Sequence, residues 1–102
     1  MNNRLNTIKV SQIRELKDNE KIQVGDFLQF LTIEEFEEAG EEITELVEKF
    51  AGKMVEVLEV GGEYNEFHEL EFFVRDEEDN MVSGTSHEFS KAYREKEHAE
   101  IK

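Results

Sequence analysis

Two periodicities alternate along the chain. From Lys21 to Leu31 apolar and polar residues take turns: Ile22 and Val24 first, then, past Gly25-Asp26, the run Phe27-Leu28-Gln29-Phe30-Leu31. A period of two is that of a strand with one buried face. Gly25-Asp26 marks a bulge or tight bend within it, and Leu28 or its neighbours face the core. At Thr32 the period changes. Thr32-Ile33-Glu34-Glu35 has the form of a capping box, in which the threonine hydroxyl accepts from the Glu35 amide and the Glu35 side chain reaches back. Ile33, Phe36, Ile43, Leu46, Val47 and Phe50 follow at helical spacing, which predicts an acidic helix over about residues 33–50. Gly40 lies inside it. Glycine there costs about 1 kcal/mol relative to alanine, so it either breaks the segment into two helices or allows close packing. Gly52 ends the segment, with Lys49 and Lys53 near the negative C-terminal end.

Beyond the helix the period of two returns. Met54 to Val60 reads as a strand ended by Gly61-Gly62. Phe67 to Arg75 is the next, with His68, Leu70, Phe72 and Val74 on one face and Phe67, Glu69, Glu71, Phe73 and Arg75 on the other. Asp76-Glu77-Glu78-Asp79-Asn80 is a polar turn, after which Met81-Val82-Ser83 pairs back as a hairpin. Thr85-Ser86-His87-Glu88 repeats the capping-box form, and Phe89, Ala92 and Tyr93 then make the apolar stripe of a C-terminal helix. At the other end, Thr7 to Val10 suggests a short strand. Ser11 caps a short helix carrying Ile13 and Leu16, and Lys17 to Glu20 forms a turn. Residues 94–102 are nearly all polar and read as a frayed tail. There is no proline and there are only six glycines. No linker therefore divides the chain, and the expectation is one domain over 1–102: an N-terminal strand and helix (1–20), a core (21–93) and the tail.

The length of 102 residues suits a single domain able to bury a core without disulfides. The absence of cysteine excludes disulfides, zinc–thiolate sites and thiol catalysis. Residues 1–10 hold no apolar run of signal-peptide length. No stretch approaches the ~18 apolar residues of a membrane span. A cytoplasmic protein without a membrane partner is expected. Charge changes the picture most. Twelve basic residues face twenty-six acidic ones, a net charge of −14, and the imbalance lies entirely beyond residue 31, where seven basic residues meet twenty-two acidic ones. Such a surface repels phosphates and argues against direct nucleic-acid binding. A basic protein is the natural partner, since a strong field speeds encounter with the opposite charge. Plain solubilisation is the alternative.

The segments Ile22-Gln-Val-Gly-Asp26-Phe-Leu, Ala51-Gly-Lys-Met-Val-Glu-Val57 and Leu70-Glu-Phe-Phe-Val-Arg-Asp76 resemble the strands of small SH3-like barrels, of the kind met in small bacterial and phage proteins. The resemblance covers about two thirds of the chain. It implies an α+β fold, a small SH3-like antiparallel β-barrel or sheet with the acidic helix inserted between its first two strands and a helix after its last. It also implies binding rather than catalysis, although fold alone does not fix function.

Candidate chemistry is sparse. His68, His87 and His98 share no ligand spacing, so a metal role has little support. The acidic run Asp76 to Asn80 lacks the glycine and glutamate placement of a calcium loop, and a solvated hairpin turn explains it better. The serines near His87 lack a nucleophile-elbow motif. Gly61-Gly62 precedes Glu63, which would repel phosphate. No enzyme activity and no cofactor are expected. The glutamates of the helical segment remain. Like charges four apart, as in Glu34–Glu38 and Glu41–Glu45, each cost a few tenths of a kcal/mol, about 0.2–0.5. Their accumulation with only Lys49 close by points to solubilisation or to an external cationic surface. On the second reading Glu34, Glu38, Glu41, Glu45 and Glu48 form the partner-binding surface of a non-enzymatic module, an inhibitor or nucleic-acid mimic that docks on a basic, nucleic-acid-binding protein. A second patch, around Glu69, Phe73 and Arg75, is either a contact surface or a core aromatic covered by the helix. A structural protein forming homo-oligomers through exposed phenylalanines or an edge strand is the alternative function.

Overall fold

In the computed structural model, which describes residues 3–63 and 69–96, the strand-forming segments assemble into one six-stranded antiparallel sheet in the order β1-β6-β2-β3-β4-β5. The strands are β1 (Ile13–Glu15), β2 (Phe27–Phe30), β3 (Met54–Glu63), β4 (Leu70–Arg75), β5 (Met81–Thr85) and β6 (Phe89–Glu95). Two short helices, α1 (Ile33–Glu38) and α2 (Glu45–Phe50), lie between β2 and β3. The chain is thus α+β.

Register sorts the side chains into two layers. On the inner face Leu28 pairs with Val55, Val57 with Val74, and Val74 with Val82. Leu28, Phe30, Val55, Val57, Phe72 and Val74 form the core with Phe36 of α1 and Phe50 of α2. Each fully buried side chain of this size contributes about 1.5–3 kcal/mol. The Phe89 ring of β6 lies 4.5 Å from Phe30 on the neighbouring β2 and reaches across to Phe72 on β4, with ring centroids 6.1 Å apart. On the outer face one cross-strand row, Glu15–Tyr93–Phe27–Glu56–Arg75–Met81, crosses all six strands.

The segment expected as one strand from Lys21 to Leu31 is a strand only from Phe27. The Gln23 amide donates to the Asp26 carboxylate and the Asp26 amide to the Gln23 carbonyl, closing a turn in which Gly25 has φ +94°. Only a residue without a β-carbon adopts that conformation cheaply.

Gly40 breaks the acidic helix rather than packing within it. Its φ is +79°. The Glu41 amide donates to Phe36 O and the Gly40 amide to Glu37 O, the paired bonds of a Schellman stop. The chain restarts at Thr44, whose hydroxyl accepts from the Val47 amide. The capping box at Thr32 is present, with Glu35 N to Thr32 Oγ1 at 3.1 Å and Thr32 N to Glu35 Oε1 at 2.9 Å.

Residues 89–95 are not the expected C-terminal helix. The capping box at Thr85 closes a single 3-10 turn, Ser86–Glu88, and the chain then extends as β6. β6 fills the slot between β1 and β2 and pairs on both sides. Seven residues are too few for periodicity to separate helix from strand, and two ladders of hydrogen bonds decide it. Arg94 and Glu95, placed in the frayed tail by sequence, belong to this strand; residues 97–102 lie outside the described ones. No strand forms over Thr7–Val10. Instead 3-10 turns at Arg4–Asn6 and Val10–Gln12 flank it, and Ile13, expected in a short helix, opens β1. β3 runs through Gly61-Gly62 to Glu63. Phe67 and His68, read as the start of the next strand, lie outside the described residues.

Replacing Gly40 by alanine imposes a left-handed conformation on an L-residue and is expected to lower unfolding free energy by about 1–2 kcal/mol. Gly62→Ala, which meets nothing within 4 Å at ordinary φ, is expected to stay within about 0.5 kcal/mol. Urea unfolding of both variants checks this, and equal effects would refute the Schellman stop.

Candidate anionic interface

The sheet consumes the arginines. Arg4 reaches across the outer face, where its Nη1 donates to Gly25 O and to Glu56 Oε2, both at 3.1 Å, while Nη2 binds the Glu95 carboxylate. Its guanidinium lies 5.0 Å from the centroid of Phe27 and covers that buried ring. Glu56, itself buried, takes Arg75 Nη2 at 3.1 Å on its other oxygen. Arg75 Nη1 also meets Asp79 at 3.5 Å. Arg94 grips the buried Asp26 carboxylate through Nε and Nη2, both at 2.9 Å. Arg14 forms a two-pronged pair with Glu20, 2.8 Å on each arm. All four arginines of the sequence are therefore tied to carboxylates of the same chain. The Arg14 hydrogen bonds, with help from the Lys17 amide, hold the Glu20 carboxyl down to about 2.

Asp76 organises the β4–β5 turn. It is fully buried, and burial alone would raise its pKa. Hydrogen bonds from the Asn80 side chain and amide, the Glu78 amide and Lys53 Nζ outweigh that and hold it below the ordinary value. Oδ1 accepts from Glu78 N and Asn80 N at 2.9 Å each; Oδ2 accepts from Asn80 Nδ2 at 3.1 Å and Lys53 Nζ at 3.3 Å. The Asp76 carbonyl accepts from Asn3 Nδ2 at 2.7 Å, which docks the N-terminal segment on the turn. The Asp76, Glu77 and Glu78 carboxylates lie close enough to one another to share a cation. With two donors already on each oxygen, however, Asp76 has no lone pair left to offer one. Its role is that of a hairpin anchor.

The helical side has the opposite electrostatic character. Glu34, Glu38, Glu41, Glu45 and Glu48 are all exposed, but they do not form one helical stripe. Glu34 and Glu38 stand one turn apart on α1, Glu45 and Glu48 three residues apart on α2, and Glu41 lies in the connection between them. Of the like-charge i,i+4 pairs expected from sequence, only Glu34–Glu38 falls within one helix. Glu41 is drawn to His87, with Oε2 at 3.5 Å from Nε2. His87 Nδ1 meets Glu69 Oε1 at 3.0 Å and Thr85 Oγ1 at 2.9 Å. This histidine thus ties the helix connection to the start of β4; His68 and His98 lie outside the described residues. Glu34, Glu37, Glu38, Glu42, Glu45 and Glu48 form no ion pair among the described residues. Lys49, the one cation between Thr32 and Gly52, lies over the Phe50 ring at 5.9 Å. Thr32, Glu34, Glu35, Glu37 and Glu38 border a shallow open depression. Sequence reasoning missed the arginine network, because the carboxylates that Arg4 meets are 52 and 91 residues away in the chain.

No helix among the described residues is long and apolar enough to cross a membrane. No protein-family model, curated protein or solved structure matches this chain.

Because the Glu20 carboxyl sits lower in the folded than in the unfolded chain, its contribution to stability is fully present above about pH 4.5 and is lost as pH falls from 4.5 to about 2. Asp76 acts in the same direction below its ordinary value of 3.8. Glu20→Gln is expected to flatten the acid limb of a stability-against-pH curve over that window, measured by denaturant unfolding at each pH. An unchanged slope would show that the Arg14–Glu20 pair does not couple to folding.

Proposed function

We propose that this chain is a non-enzymatic protein-binding module whose anionic helical side docks on a basic protein surface. The observation that carries the reading is the division of charge. The arginines are bound within the sheet, and six glutamates around α1 and α2 have no ion-pair partner among the described residues. Unpaired carboxylates held on a folded support imitate a phosphate row to a surface built to bind nucleic acid, and both interactions weaken as salt screens them. A small inhibitor or nucleic-acid mimic of bacterial or phage type that occupies such a surface is the form this function takes. The contact residues are Glu34, Glu38, Glu45 and Glu48, with Glu41 at the centre and partly held by His87.

The connectivity supports an SH3-like reading of the sheet. β2 to β5 form a meander, and a 3-10 turn then leads into β6, which returns beside β2. The helical insertion stands between the first two strands of that unit, where a binding loop can vary without disturbing the core. Self-association is the weaker reading, since two copies of a chain with net charge −14 repel at low salt.

The test is capture of a basic partner on immobilised protein at about 0.05 M and about 0.5 M salt, since screening lengths differ severalfold between these conditions. Retention is expected at low salt and loss at high salt. The triple variant Glu34→Lys, Glu38→Lys, Glu45→Lys is expected to abolish capture while leaving the far-UV spectrum intact. A partner that binds the triple variant as well as the parent would reject this placement.

A further inference from the structure

Phe73 is the exception among the described phenylalanines. The others are buried or half-buried, whereas Phe73 is 40% exposed on the outer face of β4. Its cross-strand neighbours are Glu59 on β3 and Ser83 on β5. Glu71 precedes it by two residues on β4, and these four line an open groove of about 310 Å³ together with Gly61. A β-carbon on Gly61 would lie 3.2 Å from the Glu71 carbonyl oxygen, so a side chain there would need β3 and β4 to shift apart slightly, and the glycine leaves this end of the groove open. Neither Glu59 nor Glu71 forms an ion pair among the described residues. Arg75, the nearest cation along the strand, is engaged by Glu56 and Asp79 and its side chain is only 16% exposed.

We infer that this groove receives a single arginine side chain from a basic protein partner. An accessible aromatic face attracts a guanidinium through its quadrupole, and the stem of an arginine packs on the ring while the planar head reaches flanking carboxylates. Charge complementarity selects the occupant. Two unpaired carboxylates beside the ring would repel an acidic peptide and leave an apolar one to desolvate them without return. A second copy of the chain brings its own negative field to the same place. The inference rests on the reading of the chain as one that meets a basic surface, and gives that surface a second contact on the sheet, separate from the helices.

The experiment is an NMR titration of the full chain with acetyl-arginine amide, and with acetyl-citrulline amide as the neutral isostere. Saturable shifts are expected at the amides of Gly61, Phe73 and Ser83 with arginine and not with citrulline. Phe73→Leu is expected to weaken binding by about two- to fivefold, the magnitude of an exposed cation–π contact. Glu59→Gln with Glu71→Gln should weaken it further. The triple lysine variant of the helices is expected to retain the response, so failure of the helical surface and failure of the groove are distinguishable. Equal response to citrulline, shifts confined to residues 34–48, or a dimer in sedimentation that Phe73→Leu dissociates would each overturn the assignment.

Discussion

The Arg4–Glu56–Arg75 arrangement on the outer face of the sheet governs both the fold and its electrostatics. Glu56 is buried near the start of β3, where an unpaired carboxylate would be strongly unfavourable, and two guanidinium groups approach it from different parts of the chain. Removing Arg75, whose side chain is 16% exposed, would leave the buried carboxylate to the more exposed Arg4 alone. Arg4 also covers Phe27 and ties the N-terminal segment to β6 through Glu95. The face of the sheet opposite the helices is therefore covered over β2 and β3 by the Arg4–Asn6 turn, through charge and one aromatic contact.

That closure sets the character of the remaining surface. Arginines used to neutralise Glu56, Asp26 and Glu20 are not available to the helical segment, and the glutamates of α1 and α2 form no ion pair among the described residues. A strongly negative chain can thus hold a packed core and still carry exposed glutamates along α1, α2 and their connection. The two proposed contact areas have a common origin in this division. The helices carry carboxylates alone, while the groove at Phe73 combines carboxylates with an aromatic ring left uncovered by the small neighbours Gly61 and Ser83.

Asp76 shows how a local motif acquires a long-range role. Its carboxylate closes the five-residue turn through bonds to Glu78 and Asn80, a short-range arrangement available to any such aspartate. The same residue accepts Lys53 from the start of β3 and, through its carbonyl, Asn3 from the opposite end of the chain. The acidic run that suggested a hairpin turn is thus also the anchor of the N-terminus. A run of acidic residues carries no sign of which one is buried.

Read without its fold, the chain determined what depends on neighbours in sequence. Thr32 and Glu35 cap a helix because their atoms meet within one turn. Leu70 to Arg75 alternates between core and surface because a strand's side chains must, and Phe73 falls on the outer face for that reason. The −14 charge is a matter of composition. Whether Gly40 packed or broke the helix was open in the sequence; the Schellman bonds decided it, and Phe36 and Phe50 enter the core from two separate helices. The segment Phe89 to Glu95 carried an apolar spacing compatible with a helix, and only the vacant slot between β1 and β2, with Asp26 waiting for Arg94, made it a strand. Arg94 and Asp26 stand 68 positions apart in the chain and Arg4 and Glu56 stand 52 apart; pairing at such separations leaves no local trace, so the tertiary structure decided that these buried carboxylates found a cation.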